Sequence, residues 1–112
     1  MHKVRAAVVD EIFYPAEPQA LADAVMGLLE RSEVAAGAAG ALILPHAAYS
    51  LAGGLLAAGF RAASRRSVER VVLLAPMHRD AGNKIVLPES HAFLTPLGEV
   101  PVDSAMVDEL EG

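Results

Sequence analysis

Two short apolar runs, each followed by a histidine, constrain this chain more than any other feature. Residues 41–45 (ALILP) lead directly into His46, and residues 70–75 (RVVLLA) are followed shortly by His78. Short runs rich in Val, Ile and Leu with a helical pattern between them are typical of buried parallel strands joined by a crossover helix. The sequence therefore predicts an α/β fold with a mainly parallel sheet flanked by helices.

The two histidines would then lie where ligands usually bind. In open parallel sheets, ligands bind at the carboxyl ends of the strands, and His46 and His78 both follow such an end. Imidazole is a ligand for iron, zinc, copper and nickel. The spacing therefore predicts a metal site at His46 and His78. The alternative is a pair of hydrogen-bonded histidines that cap two strands and bind no metal.

The amino-acid composition indicates one small domain, residues 1–112, with a weak core. Hydrophobic residues make up 54% of the chain but aromatic residues only 4%, so the core must consist mainly of Ala, Val and Leu. Alanine contributes little burial, since each buried methylene is worth about 0.8 kcal/mol. We therefore expect a homo-oligomer in which another copy covers an exposed apolar face.

Charge and cysteine content exclude several classes of protein. A net charge of −5 argues against a nucleic-acid partner. The chain has no cysteine, so it has neither a disulfide framework nor a thiolate ligand of its own. It has no apolar run of transmembrane length, and its first residues do not resemble the core of a signal peptide. We expect a cytoplasmic protein with no membrane partner.

Periodicity places the remaining elements. A helix is predicted from about Glu17, and a second helix is predicted near Ser50, whose hydroxyl would cap it. Leu51, Leu55 and Ala58 would form one face of that second helix. The glycines at 53–54 indicate either close approach to the sheet or a bound group, or simple tolerance.

The second half of the chain is predicted to be more irregular. Residues 78–98 contain one strand-like run at 84–87, and residues 100–102 are a candidate strand. Asp103 would cap a final helix over residues 104–110. At the other end, residues 6–9 are a candidate for a short strand or an extended arm.

Four segments resemble motifs of one family. Residues 45–53 (PHAAYSLAG) resemble P-H-A-G-Y-S-x-S-G, residues 74–79 (LAPMHR) resemble L-G-P-S-H-R, and residues 95–103 (TPLGEVPVD) resemble T-P-L-G-x-V-x-V-D. Residues 13–15 (FYP), with Leu21 downstream, resemble the entry A-G-x-F-Y-P. Together and in this order they resemble the N-terminal part of the Memo family, also called the AmmeMemoRadiSam system protein B family.

The resemblance implies a fold and a site. Memo proteins have an α/β fold related to the class III extradiol ring-cleaving dioxygenases, which hold a divalent metal, typically iron, with two histidines and a third ligand. His46 and His78 match the two family histidines. The third ligand of the Memo branch is a cysteine far along the chain, and family members run well beyond twice this length. We therefore expect a truncated domain with an incomplete ligand set.

The resemblance leaves two functions open. One is a metal-dependent, dioxygenase-like oxidoreductase with His46, His78 and Tyr49 as catalytic residues, Tyr49 acting as a hydrogen-bond donor or acid. Its cofactor would be iron, with zinc or copper as alternatives, and its substrate an unknown small molecule. The other is a non-catalytic adaptor that binds a peptide or handles copper, since Memo relatives include such proteins.

Several positions depart from the family motifs. Alanines stand in place of glycine or serine at 48, 52 and 75, Met77 replaces a serine, and the pair at 10–11 (DE) replaces Ala-Gly. Losing a glycine beside a metal ligand alters how closely the backbone can approach, and losing serine hydroxyls removes hydrogen bonds that orient ligands. These departures weaken the expectation of a competent enzyme.

The remaining polar residues carry weaker expectations. Asp10, Glu11, Glu89 or a group from another subunit would have to complete the metal site. Arg79 is a candidate clamp for an anionic substrate but is more simply a surface arginine. We expect His91 to be a surface histidine and assign no role to His2.

Overall fold

The computed structural model describes residues 2–112, which divide into two compact units. The helical unit is Val9–Ala75, and the sheet unit combines residues 2–8 with Pro76–Gly112. The predicted α/β class is confirmed, because the described residues form both helices and a sheet. No helix within residues 2–112 is long and apolar enough to cross a membrane.

Two helices form the helical unit, and the first begins close to the predicted residue. Helix α1 spans Pro18–Arg31, and its N-cap is Glu17. The Glu17 carboxylate accepts hydrogen bonds from the backbone N–H of Gln19 at 3.0 Å and of Ala20 at 2.7 Å. Pro18 fits the first helical position because its missing N–H would have no partner there.

Helix α2 spans Tyr49–Ala62, so the predicted helix is confirmed but the predicted cap is wrong. The N-cap residue is Ala48, whose side chain caps nothing, and Ser50 lies inside the first turn. The free Tyr49 N–H instead donates to the Phe13 carbonyl at 2.9 Å. A tertiary hydrogen bond therefore does the work that a serine hydroxyl was expected to do.

The predicted apolar face of α2 is also wrong. Leu51 and Leu55 are 84% and 65% exposed, whereas Ala52 and Ala57 are buried. Leucine periodicity pointed to the face with the larger side chains. The helix instead packs through its small residues, because these let two helix backbones approach closely.

Gly53 explains that close approach. A Cβ atom at this position would lie 3.0 Å from both δ-carbons of Leu28 on α1. The glycine thus makes room for a helix–helix contact rather than for a sheet or a bound group. Gly54 faces open space and is simply tolerated.

The two apolar runs do not form the predicted parallel strands. Residues 41–45 alternate in exposure, with Leu42 and Leu44 half-buried and Ile43 fully exposed. Residues 70–75 are exposed throughout, and neither run joins a ladder in the described part of the chain. The alternation is that of a strand, but a strand also needs a neighbour for its backbone groups, and residues 41–45 contact α2 through a side chain, that of Leu44 against Gly59.

The sheet unit contains a three-stranded mixed sheet in the order β1-β2-β3. Strands β1 (Val4–Arg5) and β2 (Ala92–Thr95) are parallel, and β2 and β3 (Gly98–Pro101) are antiparallel. Ala92 is buried at the start of β2. The expectation of a mainly parallel sheet is therefore wrong for the described residues.

Other sequence predictions for this unit have mixed outcomes. Strand β3 overlaps the run at 100–102, but β2 was not predicted, and residues 6–9 and 84–87 form no strand. The final helix is confirmed as α3, Ser104–Glu111. The Asp103 Oδ1 accepts the Met106 N–H at 3.1 Å, which is the predicted cap.

Candidate functional site

A tight turn at residues 9–15 forms one wall of a groove in the helical unit. The N–H groups of Ile12 and Phe13 donate to the Val9 carbonyl at 3.2 and 2.8 Å, and the Glu11 N–H donates to the Tyr14 carbonyl at 2.6 Å. Glu11 has a φ of 65°, a left-handed conformation that few residues other than glycine adopt. The turn therefore stores strain close to the candidate site.

The groove lies between this turn and the two helices. Its volume is about 460 Å³, and its walls include Tyr14, Leu28, Arg31, Tyr49 and Ser50. The Tyr49 N–H bond to the Phe13 carbonyl holds the start of α2 against the turn. The walls are apolar except for the hydroxyl groups of Tyr14, Tyr49 and Ser50 and two opposite charges, the Arg31 guanidinium and the Glu11 carboxylate.

The two tyrosines of the chain meet in this groove. The rings of Tyr14 and Tyr49 have centroids 5.9 Å apart and are tilted by 43°. Burial raises the pKa of the Tyr49 phenol above its ordinary value of 10.0, and the nearby Tyr14 phenol raises it further. Tyr49, like any phenol at neutral pH, can donate a hydrogen bond, and its raised pKa extends that state to more alkaline pH.

The structure places the two predicted metal ligands in different units. His46 is an exposed residue of the helical unit, three positions before Tyr49, and His78 is an exposed residue of the sheet unit. Within residues 2–112 no group of three or more His, Asp or Glu side chains is arranged to hold a metal ion. Metal binding by His46 and His78 therefore stays a prediction.

The other predicted residues are distributed between the units. Asp10 forms a backbone bridge with Tyr14, and the Glu11 carboxylate accepts the Ala16 N–H at 2.9 Å. Both carboxylates thus belong to the turn of the helical unit. Glu89 and Arg79 are exposed residues of the sheet unit.

Sequence reasoning missed two groups of residues. Tyr14 and Arg31 line the groove with Tyr49, and the Phe-Tyr-Pro segment at 13–15 was the available signal. His91 is exposed as expected, but its ring contacts both Lys3 and His2. That contact joins distant parts of the sequence, so local patterns could not reveal it.

Comparison with known proteins decides the family. The chain matches the Memo-like protein family over residues 5–112, a range that contains the groove, His46 and His78. The chain belongs to the Memo family. The four motif resemblances are thereby confirmed as family membership.

Relatives of this Memo-family chain come from animals and archaea. It is 40% identical to a memo-1 homolog of Caenorhabditis elegans over 74 residues, 66% of this chain and 21% of that protein. It is 30% identical to a MEMO1 family protein of Methanocaldococcus jannaschii over 126 residues, 98% of this chain and 42% of that protein. It is 28% identical to the MEMO1 protein of Danio rerio over 98 residues, 88% of this chain and 33% of that protein.

The Memo-family chain spans between about a fifth and two-fifths of the length of these relatives. No solved structure matches it significantly. The family match establishes family membership, and the described helices and sheet establish a mixed α/β architecture. The activity of the whole protein is a matter for proposal.

Proposed function

We propose that this Memo-family chain is a metal-dependent oxidoreductase of dioxygenase-like fold, in which His46 and His78 bind a divalent metal. The observation that carries the proposal is the family match, which spans both histidine motifs. Imidazole nitrogens are suitable donors for iron, the metal implied by the family resemblance, and also for zinc and copper.

The donor set on the described residues fits part of such a site. A facial iron(II) site takes two histidines and one carboxylate and keeps open positions. In the proposal His46 and His78 supply the histidines. Within residues 2–112, however, no group of three His, Asp or Glu side chains is arranged to hold a metal ion. The third ligand would come from a second copy or from the additional chain of a longer protein.

A bound iron(II) would supply the dioxygen chemistry. The role of the chain is to bind and orient a small-molecule substrate. A phenol is protonated at neutral pH, and burial raises the pKa of Tyr49 further, so Tyr49 is placed to donate a hydrogen bond to an oxygen atom of the substrate. Arg31, on the wall of the same groove, attracts an anionic substituent.

A homo-oligomer belongs to the same proposal. The runs at 41–45 and 70–75 leave Ile43 fully exposed and Leu74 91% exposed. Exposed apolar residues in segments that join no sheet favour association with another chain. A second copy seated on these runs would bury them. We also place the protein in the cytoplasm, since a chain without cysteine needs no oxidising compartment.

Metal content is the direct test of the proposed function. Protein purified without a metal-affinity tag is loaded with iron(II) anaerobically, desalted and analysed by plasma mass spectrometry. About one metal per chain is expected in the parent, and a loss of most of it in both His46→Ala and His78→Ala. His91→Gln is the matched control, because it removes an exposed histidine outside the proposed site.

Each outcome has a definite meaning. Loss in both variants but not in the control supports ligation and justifies an assay of oxygen consumption with catechol-like substrates. Equal metal content in all four proteins, or none in the parent after reconstitution with iron, zinc and copper, contradicts the proposal. A metal-free protein would instead favour the alternative of a non-catalytic peptide-binding member of the family.

A further inference from the structure

One histidine outside the proposed metal site holds the N-terminal strand in place. The Lys3 N–H donates to the His91 Nδ1 at 2.8 Å, and the His91 N–H donates back to the Lys3 carbonyl at 2.8 Å. We propose that neutral His91 is a latch that docks β1 on β2, and that protonation of its ring releases β1.

The chemistry of the ring makes this bond sensitive to pH. A neutral imidazole has one acceptor nitrogen, and the Lys3 N–H occupies it, so the ring proton is on Nε2. Protonation turns Nδ1 into a donor that faces another donor. The Lys3 N–H then loses its acceptor, and the ring must turn away.

Strand β1 has few other attachments within the sheet. It consists of two residues, Val4 and Arg5, paired with Ala92 and Phe93. Next to the latch, the Lys3 carbonyl also accepts the Ala92 N–H at 3.3 Å, a longer bond than the one from His91. A strand this short depends on the contacts at its end. Loss of the hydrogen bond from the Lys3 N–H to His91 therefore shifts β1 toward the released state.

The surrounding charges act in the same direction. The His2 ring stacks on His91 with centroids 5.8 Å apart and planes 23° apart, so two protonated rings would repel each other. The His2 Nε2 lies 3.3 Å from the Glu99 carboxylate of β3, an exposed pair that contributes little. The other charged side chains on the segments around His91 are Lys3, Arg5, Glu89 and Asp103.

Release would be confined to β1. The His91 carbonyl accepts the Val102 N–H at 2.8 Å, and β2 pairs with β3 from Ala92–Pro101 to Thr95–Gly98. These contacts are backbone hydrogen bonds without a titratable partner. The β2–β3 hairpin therefore stays formed when β1 leaves.

The test is nuclear magnetic resonance on the full ¹⁵N-labelled chain between pH 7.5 and 5.0. As pH falls, we expect the Lys3 amide proton to shift upfield and the heteronuclear NOE of Val4 and Arg5 to fall to that of a free terminus. The NOE values of Leu94 and Val100 report the hairpin and should not change. They also show that each variant is folded.

Two substitutions separate the latch from general acid effects. In His91→Gln the side-chain oxygen can accept the Lys3 N–H but does not titrate, so β1 should stay docked across the pH range. In His91→Ala it should be released at every pH. A parent whose β1 signals do not respond to pH would overturn the proposal, and so would a His91→Gln protein that responds like the parent.

The stacked ring is tested separately. His2→Ala removes the second cation but keeps the latch, so most of the pH response should remain. Its complete disappearance in His2→Ala would assign the effect to repulsion between the rings and overturn the role of His91 as the latch.

Discussion

The Tyr49 N–H donates to the Phe13 carbonyl at 2.9 Å, which ties together two segments that are far apart in the sequence. This bond starts α2 against the turn at residues 9–15 and brings the Tyr49 ring beside Tyr14. The Phe-Tyr-Pro segment and Tyr49 are therefore on two walls of one groove. Both belong to segments that resemble motifs of the Memo family.

The titration of Tyr49 can be measured directly, because the chain has only two tyrosines. In Tyr14→Phe the single remaining phenol is Tyr49, whose pKa should stay above 10.0 because its burial persists. Ultraviolet absorbance of the phenolate against pH gives the value, with N-acetyltyrosinamide as the reference. A pKa at or below that of the reference would contradict the burial of Tyr49.

The same shift has a consequence for stability. The folded state holds the Tyr49 proton more tightly than the unfolded state, because its folded pKa is raised. The associated stabilisation is complete below pH 10 and is lost as pH rises through the folded pKa. Raising the pH above 10 should therefore lower the free energy of unfolding of the parent more than that of Tyr49→Phe, as measured by urea denaturation. Equal loss in the two proteins would show that Tyr49 is not linked to folding.

Two glycines should respond to alanine in opposite directions. A Cβ at Gly37 would lie 2.7 Å from the Ala62 carbonyl oxygen, a backbone atom that cannot turn aside, so Gly37→Ala should destabilise by about 1–3 kcal/mol. Gly54 lies inside α2 with open space around it, so Gly54→Ala should stabilise by about 0.5–1 kcal/mol. Urea denaturation measures both. Stabilisation by Gly37→Ala would contradict the contact with Ala62.

The cap of α1 should be measurable in the same way. Glu17→Ala leaves the N–H groups of Gln19 and Ala20 without the carboxylate and should cost about 1 kcal/mol of unfolding free energy. Glu30→Ala is the matched control, an exposed glutamate in the last turn of the same helix. A carboxylate near the C-terminus opposes the helix dipole, so Glu30→Ala should not destabilise the protein. Destabilisation of equal size in both variants would contradict the capping role of Glu17.

Self-association should depend on the exposed run at 41–45. Sedimentation velocity at micromolar concentration should show a dimer or larger assembly for the parent and a smaller species for Ile43→Asp, since a charge opposes burial of that face. Leu110→Asp places the same charge on an exposed leucine of α3 and should leave the assembly unchanged. A monomeric parent would contradict the homo-oligomer.

Local sequence patterns predicted the helices well, because their signals lie within a few residues of each other. Helix α1 follows from the apolar stripe after Glu17, and the Asp103 cap of α3 follows from one side chain and its neighbours. The face of α2 could not be predicted in this way. Ala52, Gly53 and Ala57 are the buried residues of α2, and Gly53 lies against Leu28 of α1, a tertiary contact that leucine periodicity does not describe.

The candidate site shows the same division. Sequence patterns alone identified Tyr49 and the two histidine motifs and led to the family. They could not show that Tyr14 and Arg31 share a groove with Tyr49, since that depends on how the turn meets the helices.

By itself, the sequence determined the approximate helix starts and the family, because these depend on residue type and short spacing. Only the tertiary structure decided which apolar segments become strands. Residues 41–45 and 70–75 have the apolar pattern of strands but join no sheet within residues 2–112, whereas β1 and β2 pair across nearly the whole chain. A strand is completed by hydrogen bonds to another segment, and no local pattern specifies which segment that is.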